Sequence, residues 1–417
     1  MTMSRRDLLA GLGGVAAIGI TPGLASYPVL HAAADVAIDA AFPAKKDFSI
    51  PAGLTYINSA YTHPMPEAGA ASLREWAEFR SHPQVVSQPK KLINIKAELA
   101  ALINAKESEI SYIPNTSTGE NLVVSGLNID YKSDNVVTDA LHFEGALLHL
   151  QALQQRFGLD VRVVMPREWR IDLKDLERVV DHKTKLIEVS LVAMHNGFQH
   201  DLKAVCDLAH AHGAYVYADI VQAAGNTPID VRASGVDFCA CSSFKWLMGD
   251  FGLGFLYVKE DLLDRVLQRT QYGYYEASSM ESHFLPGDPP GGAAYTFALE
   301  NNATGHFEAG TDAIGAAHVL AQSLPYIRRL GVENIHTHRQ PLVKRLQQEM
   351  PRLGFEPLTP PESTSALVTF AVKDYKDVQQ RLQKASVNAR VSQRYIRISP
   401  SVFNDMGDID KLLEALA

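Results

Sequence analysis

The chain has 417 residues, a formal charge of −8, a pI near 6.0, 46% hydrophobic residues and a mean hydropathy of −0.07. So apolar a chain is not mainly disordered, and its mild acidity argues against a dedicated nucleic-acid binder, which would usually have a pI above about 9. Three cysteines cannot build a disulfide scaffold, and beyond the N-terminal segment no apolar run approaches the roughly 20 residues of a membrane span.

Ser4-Arg5-Arg6-Asp7-Leu8-Leu9 is a twin-arginine sequence, followed by an apolar stretch from Leu8 to Ile20 and small residues at Ala32-Ala33-Ala34. Basic start, apolar middle and small-residue cleavage region predict a signal peptide over 1–34 and a periplasmic mature protein with no membrane segment. Twin-arginine signals generally serve proteins exported already folded, often with a cofactor in place. Gly11-Leu12-Gly13-Gly14 follows no strand, so it is not a dinucleotide loop. Cys239 and Cys241 stand i, i+2 on a predicted strand, about 6.6 Å apart, near the upper limit for a bridge. Three free, mostly buried thiols are expected.

Residues 35–65 are expected to pack on a smaller C-terminal unit. From about Asn58, helical and strand-like runs alternate. Ile95 to Asn104 reads as an amphipathic helix, Asp134 to Thr138 as a strand and Gly145 to Phe157 as the next helix. Val161 to Val164, Leu186 to Val192, Ala214 to Ala218 and Val236 to Cys241 are apolar runs of strand length. Asp201 caps a helix whose face is Leu202, Val205, Cys206 and Ala209, and Gly213 stops it. Strands buried on both faces and separated by helices imply a mostly parallel sheet, placing 66–309 in an α/β domain. Pro286 to Gly292 reads as a loop. Helices at Asp312 to Leu330 and Glu333 to Met350, then strands at Leu367 to Val372 and Tyr395 to Ile398, make 310–417 a smaller α+β domain.

The chemistry concentrates in two stretches. Ala214 to Asp219 and Cys239 to Lys245 each deliver an ionisable residue to the C-terminal end of a buried strand, the edge where open α/β sheets bind ligands. Asp219 and Lys245 there could form a structural ion pair or a reactive pair. Asn115-Thr116-Ser117-Thr118-Gly119 precedes a helical run, so hydroxyls and free backbone N–H groups meet at a helix N-terminus suited to a phosphate. Ser242 adds a hydroxyl just before the lysine. His210/His212 and His336/His338 diverge on helices and make poor chelates, so no metal is expected. His195 and His200 border the same region as loop histidines. No Gly-x-Gly-x-x-Gly follows a strand, which disfavours a nicotinamide dehydrogenase.

Phosphate cradle, buried acid and strand-end lysine together describe a pyridoxal phosphate site, and the chain here resembles the class V aminotransferases. That fold-type I group includes cysteine desulfurases and isopenicillin N epimerase. The resemblance runs in order from Tyr56-Ile57-Asn58-Ser59-Ala60 through Thr116, Asp219-Ile220-Val221-Gln222, Ser242 to Lys245, and Gly252 to Val258. It continues through Phe307-Glu308-Ala309-Gly310-Thr311 to Arg397-Ile398-Ser399. It implies a seven-stranded, mostly parallel sheet in the large domain and pyridoxal 5'-phosphate as cofactor. Lys245 would carry the cofactor covalently and shuttle protons, Asp219 would hold its ring nitrogen protonated, and His142 would stack on the ring. Gln222 would reach the 3-oxygen, and Thr116, Ser117 and Ser242 the phosphate. Thr311 would reach the phosphate of a partner subunit, which implies a homodimer. Arg397 would grip a substrate α-carboxylate; Arg390 and Arg394 are near competitors by sequence, but the Tyr395-Ile396-Arg397-Ile398-Ser399 context favours Arg397.

The departures are informative. Phe244 replaces a histidine frequent in cysteine desulfurases. The asparagine position near the cofactor oxygen falls on Met194, with Asn196 two residues away. The stretch from Lys384 to Tyr395 holds no cysteine, whereas a desulfurase needs a mobile thiol there. The implied function is action on the amino group of an amino acid or similar compound, first of all transamination. C–S lysis, epimerisation or decarboxylation are the alternatives within the family, and a catalytically silent binding protein is the alternative outside it.

Overall fold

A computed structural model describes residues 42–82 and 94–417; the whole twin-arginine region lies outside the described residues. The central sheet has seven strands, in the order Ile110–Ile113, Gly254–Val258, Phe238–Ser242, Tyr215–Asp219, Thr184–Ser190, Asn135–Asp139, Asp160–Val164. The last five are mutually parallel. Gly254–Val258 runs against both of its neighbours. Val136, Val137, Leu186, Ile187, Val189, Val216 and Ala218 are almost wholly buried, because helices cover both faces. This is the α/β fold-type I arrangement with its mostly parallel seven-stranded sheet.

Local chemistry sets the helix ends. Asp201 accepts from Ala204 N at 3.1 Å and starts Leu202–Ala211, whose buried face is Leu202, Val205, Cys206 and Ala209. Gly213 then turns with φ +76°, a conformation that costs a residue with a Cβ. All three cysteines are free and buried, Cys206 on this helix and Cys239 and Cys241 in the sheet.

The smaller unit is a three-stranded antiparallel sheet, Val368–Ala371, Tyr395–Ile398 and Arg390–Val391 in that order. Leu342, Leu346, Leu382, Ile409 and Leu412, from helices Val332–Arg352, Tyr375–Lys384 and Met406–Leu416, cover one face of it. The segment before residue 60 is stitched to this unit. Thr55–Tyr56 pairs in parallel with Val387–Asn388, Ser399 N donates to Ile57 O at 2.8 Å, and Phe48 packs on Phe403.

Two features differ from the sequence reading. Helix Ile314–Leu330 does not join the smaller unit: Ala316, Leu320, Leu324 and Ile327 are buried in the cluster that holds Leu99 and Ile103 of the large domain. Periodicity announces an amphipathic helix but not which apolar surface receives it. The loop Pro286 to Gly292 is the tip of an antiparallel ribbon, Ala277–Ser282 against Tyr295–Leu299, whose second strand is largely exposed and so lacks the apolar signature of a core strand.

Candidate active site

Four strand ends converge on one cavity of about 190 Å³. Ile110–Ile113 leads into helix Thr116–Gly126, Thr184–Ser190 contributes Ser190, Tyr215–Asp219 ends on Asp219, and Phe238–Ser242 runs on to Phe244 and Lys245. Asn115 caps the helix, its side-chain oxygen accepting from Thr118 N at 2.9 Å. Thr116 N donates to Ser242 Oγ at 3.2 Å, and the Thr116 and Ser242 hydroxyls are 2.8 Å apart. The helix can lie this close to the sheet because residue 119 is glycine: a Cβ there would meet Ile113 Cδ1 at 2.8 Å. One wall is thus a helix N-terminus, positive by its dipole and lined with hydroxyls, the natural seat of a phosphate.

Asp219 faces that wall, 8% exposed, with Oδ1 held by Val221 N–H at 2.8 Å. Burial raises its pKa to about 6, against that hydrogen bond and the charge of Lys245. Lys245 makes no hydrogen bond or ion pair among the described residues; burial lowers its pKa to about 8, opposed by Asp219 and reinforced by Arg397. A carboxylate and an amine are thus held in one pocket without being spent on an ion pair. Each has a proton affinity near neutrality, as acid–base work requires.

Residues 80–412 match the sequence profile of the class-V aminotransferase family. The chain belongs to that family. It is 28% identical over 353 residues to a probable cysteine desulfurase of Methanothermobacter thermautotrophicus, covering 82% of this chain and 84% of that protein. The cysteine desulfurase of Escherichia coli K12 is 26% identical over 359 residues, with 80% and 84% covered. Among solved structures, the apo cysteine desulfurase of Thermococcus onnurineus superposes with a TM-score of 0.76 at 25% identity, covering 89% of this chain and 95% of that one. A cystine C–S lyase in complex with its product cysteine persulfide gives 0.73 at 22% identity, with 88% and 97% covered, and shares the fold.

In this class-V member the expected site residues do not all stand where the sequence put them. Asn115, Thr116, Ser117, Asp219, Gln222, Ser242 and Lys245 line the cavity. His142 does not. It is 1% exposed behind the wall, with Nδ1 2.9 Å from Ser190 Oγ and Nε2 without a partner. The next residue, Phe143, forms the wall instead. The chain leaves Asn135–Asp139 through a turn, and an offset of one residue at its end reverses which side chain faces the cavity. The aromatic neighbour was the available signal; the sequence reading started the helix at Gly145 and gave Phe143 no role.

Gln222 faces the cavity but is engaged at both ends, donating from Nε2 to Ala60 O at 3.1 Å and accepting from Trp246 Nε1 at 2.9 Å. One amide hydrogen remains for a ligand. Trp246 was not anticipated. It joins Gln222 to the lysine turn and lies with its ring 6.0 Å from the fully buried Arg339 guanidinium. Met194 lines the cavity. Asn196 is instead spent on the backbone of Trp169, Leu358 and Phe198, which braces the loop. Arg397, 4% exposed, donates from Nη1 to Met194 O at 2.6 Å, while its Nε has no partner. Thr311 is exposed and away from this cavity, 2.8 Å from the Tyr274 hydroxyl. His200 Nε2 lies 3.1 Å from Asp139 Oδ2 in the interior, and His195 pairs with Glu144 at 3.5 Å.

Proposed function

We propose that this class-V member acts on the amino group of an amino acid or amino-acid-like compound with pyridoxal phosphate as cofactor, most simply as an aminotransferase. One juxtaposition carries the reading. A lysine with a pKa lowered to about 8 and a buried, unpaired aspartate share a cavity whose far wall is a hydroxyl-lined helix N-terminus. The donor set fits the group: a cradle for an anion at one end, a carboxylate awaiting a cation, an amine free to react, and the flat ring of Phe143 between. Bound there, pyridoxal phosphate supplies an electron sink that stabilises negative charge on a substrate α-carbon.

The chain's own residues do the rest. The N-terminus of helix Thr116–Gly126, with Thr116, Ser117 and Ser242, holds the phosphate. Asp219 keeps a proton on the ring nitrogen: unit charges about 4 Å apart at an effective dielectric constant near 20 gain about 4 kcal/mol, about three pKa units. Lys245 is the nucleophile and then the acid–base group at the α-carbon, its depressed pKa leaving more free amine near neutrality than an ordinary lysine has. The Arg397 guanidinium, with its Nε unpartnered, is a fork for the α-carboxylate. Phe143 takes the ring-packing role first assigned to His142, whose hydrogen bond to Ser190 steadies the wall.

A second reading, C–S lysis of a sulfur amino acid, is favoured by the relatives named cysteine desulfurase and by the cystine lyase neighbour. Storage of sulfur on a thiol of this chain is disfavoured. Arg390–Val391 and Tyr395–Ile398 form a tight hairpin, closed by Ser392 N donating to Tyr395 O at 2.8 Å, and the stretch carries no cysteine. All three thiols are buried, and burial raises the Cys206 pKa to about 12 and pushes Cys239 and Cys241 well up. Thiolates are the form that accepts sulfur, so none is poised. Export by the twin-arginine segment, and a homodimer in which the exposed Thr311 meets a partner's phosphate, complete the proposal.

The test is to incubate purified protein with cofactor, panels of amino donors with keto acceptors, and cystine and cysteine, and to identify products by mass spectrometry. Keto acid formed in step with an aminated acceptor supports transamination. Pyruvate with a persulfide selects C–S lysis, and a colourless protein that never takes up the cofactor sinks both.

A further inference from the structure

The antiparallel register of the smaller sheet places Thr369 opposite Arg397, and Arg397 opposite Arg390. Directly opposed residues in antiparallel strands project from the same face. The other face, with Val368, Phe370, Ile396 and Ile398, is buried in the core of the smaller unit. The Thr369–Arg397–Arg390 row therefore looks away from that core, toward the large domain. Two hydrogen bonds seat it there: Thr369 Oγ1 donates to His195 O at 2.8 Å, and Arg397 Nη1 to Met194 O at 2.6 Å. Met194 is part of the cavity wall beside Lys245. At the outer end, the Arg390 guanidinium lies 5.1 Å from the ring of Tyr61, whose neighbour Ala60 accepts from the cavity-lining Gln222.

Two cations directly opposed across a strand pair repel one another. Arg397 is nearly buried with an unpartnered Nε, and Arg390 is exposed and makes no ion pair among the described residues. Water solvates the exposed Arg390 and Glu144 acts on Arg397, and a bound anion would relieve the repulsion that remains. The inner guanidinium suits the carboxylate next to the reacting carbon, and the outer one, a strand spacing away where it lines a separate surface pocket with Asn58 and Tyr61, suits a second.

We propose that Arg390 and Arg397 form a two-carboxylate site, so that the substrate is an amino dicarboxylic acid whose α-carboxylate rests on Arg397 and whose side-chain carboxylate rests on Arg390. This rests on the amino-acid reading of the site, and the experiment separates the two. Binding to the cofactor-loaded protein is measured by calorimetry with glutarate and with its monoamide, two unreactive probes of nearly equal shape. The wild type binds glutarate at least about tenfold more tightly, the scale of one charge-assisted hydrogen-bonded contact. Arg390→Gln abolishes that preference and leaves affinity for the monoamide unchanged, while Arg390→Lys restores part of it. In turnover, Arg390→Gln raises the KM for L-glutamate about tenfold with little change in kcat, and leaves L-glutamine unaffected. Equal affinities of the wild type for the two probes, or a preference that survives Arg390→Gln, overturns the proposal. If instead the dicarboxylate preference appears and depends on Arg390 but no amino compound is processed, the site stands and the amino-acid reading falls.

Discussion

Ser242 Oγ and Thr116 Oγ1 lie 2.8 Å apart, joining the last residue of a parallel strand to the first turn of a helix that begins 126 positions earlier. That contact fixes how far the helix N-terminus stands from Lys245, three residues beyond Ser242. It therefore sets the distance between an anion seat and a reactive amine. The two hydroxyls are also natural phosphate donors, so a ligand there would find them already mutually oriented.

The first prediction concerns this pair. Ser242→Ala and Thr116→Val should each weaken cofactor affinity by roughly tenfold or less, the scale of one neutral hydrogen bond. The double variant should fall short of the summed effects, because the partners touch. Equilibrium dialysis against graded cofactor concentrations measures this; strict additivity would mean that the hydroxyls do not share a ligand.

Lys245→Ala should abolish the lysine-dependent visible absorbance of the cofactor-loaded protein and lower kcat by more than about a thousandfold, since both the nucleophile and the acid–base group are lost. The fold should survive, because Lys245 makes no hydrogen bond or ion pair among the described residues. Absorbance, circular dichroism and turnover measured on one preparation check all three.

Asp219 should leave a signature in the stability of the cofactor-free protein. Its pKa rises from 3.8 to about 6 on folding, so between those values the folded chain holds more protons than the unfolded one. Stability must then fall as pH rises from about 4 to 6, by at most about 3 kcal/mol from this group. Lys245 acts in the other direction at higher pH. With its pKa lowered to about 8, the folded chain holds fewer protons between about 8 and 10.5, and stability rises across that window. Asp219→Asn should remove the acid-side component, leaving the cofactor-free variant more stable than the wild type at pH 7 while turnover drops by a hundredfold or more, on the scale of a lost acid–base or charge-stabilising group. Denaturant titrations at pH 4, 5, 6 and 7 make the comparison; parallel profiles for the two proteins would refute the assignment.

Phe143 and His142 separate the two accounts of the cavity wall. Phe143→Ala should shift the absorbance of bound cofactor and weaken its binding by about tenfold, in line with an aromatic packing contact of about 0.5–1.5 kcal/mol beyond area burial. His142→Ala should cost stability, through the lost contact with Ser190 and a buried void, with a smaller spectral effect. A large spectral change for His142→Ala and none for Phe143→Ala would restore the histidine to the ring.

Much of this protein was settled in the order of its residues. Buried strands such as Val136-Val137 and Tyr215 to Ala218 announce themselves as apolar runs, because a parallel sheet covered on both faces has no polar side to alternate with. Tyr215–Asp219 ends on Asp219 and Phe238–Ser242 leads within three residues to Lys245, so the chemistry of the site could be read from the residue types placed at and just beyond strand ends. Polar or exposed strands left no such mark, as in the Tyr295–Leu299 ribbon. Only the tertiary structure decided which neighbour received helix Ile314–Leu330, that Phe143 and not His142 faces the cavity, and that Asn196 is spent on the backbone of Trp169, Leu358 and Phe198. It alone set Arg390 beside Arg397. Propensity and periodicity act along a few residues, whereas these outcomes depend on register and on surfaces brought together from distant parts of the chain.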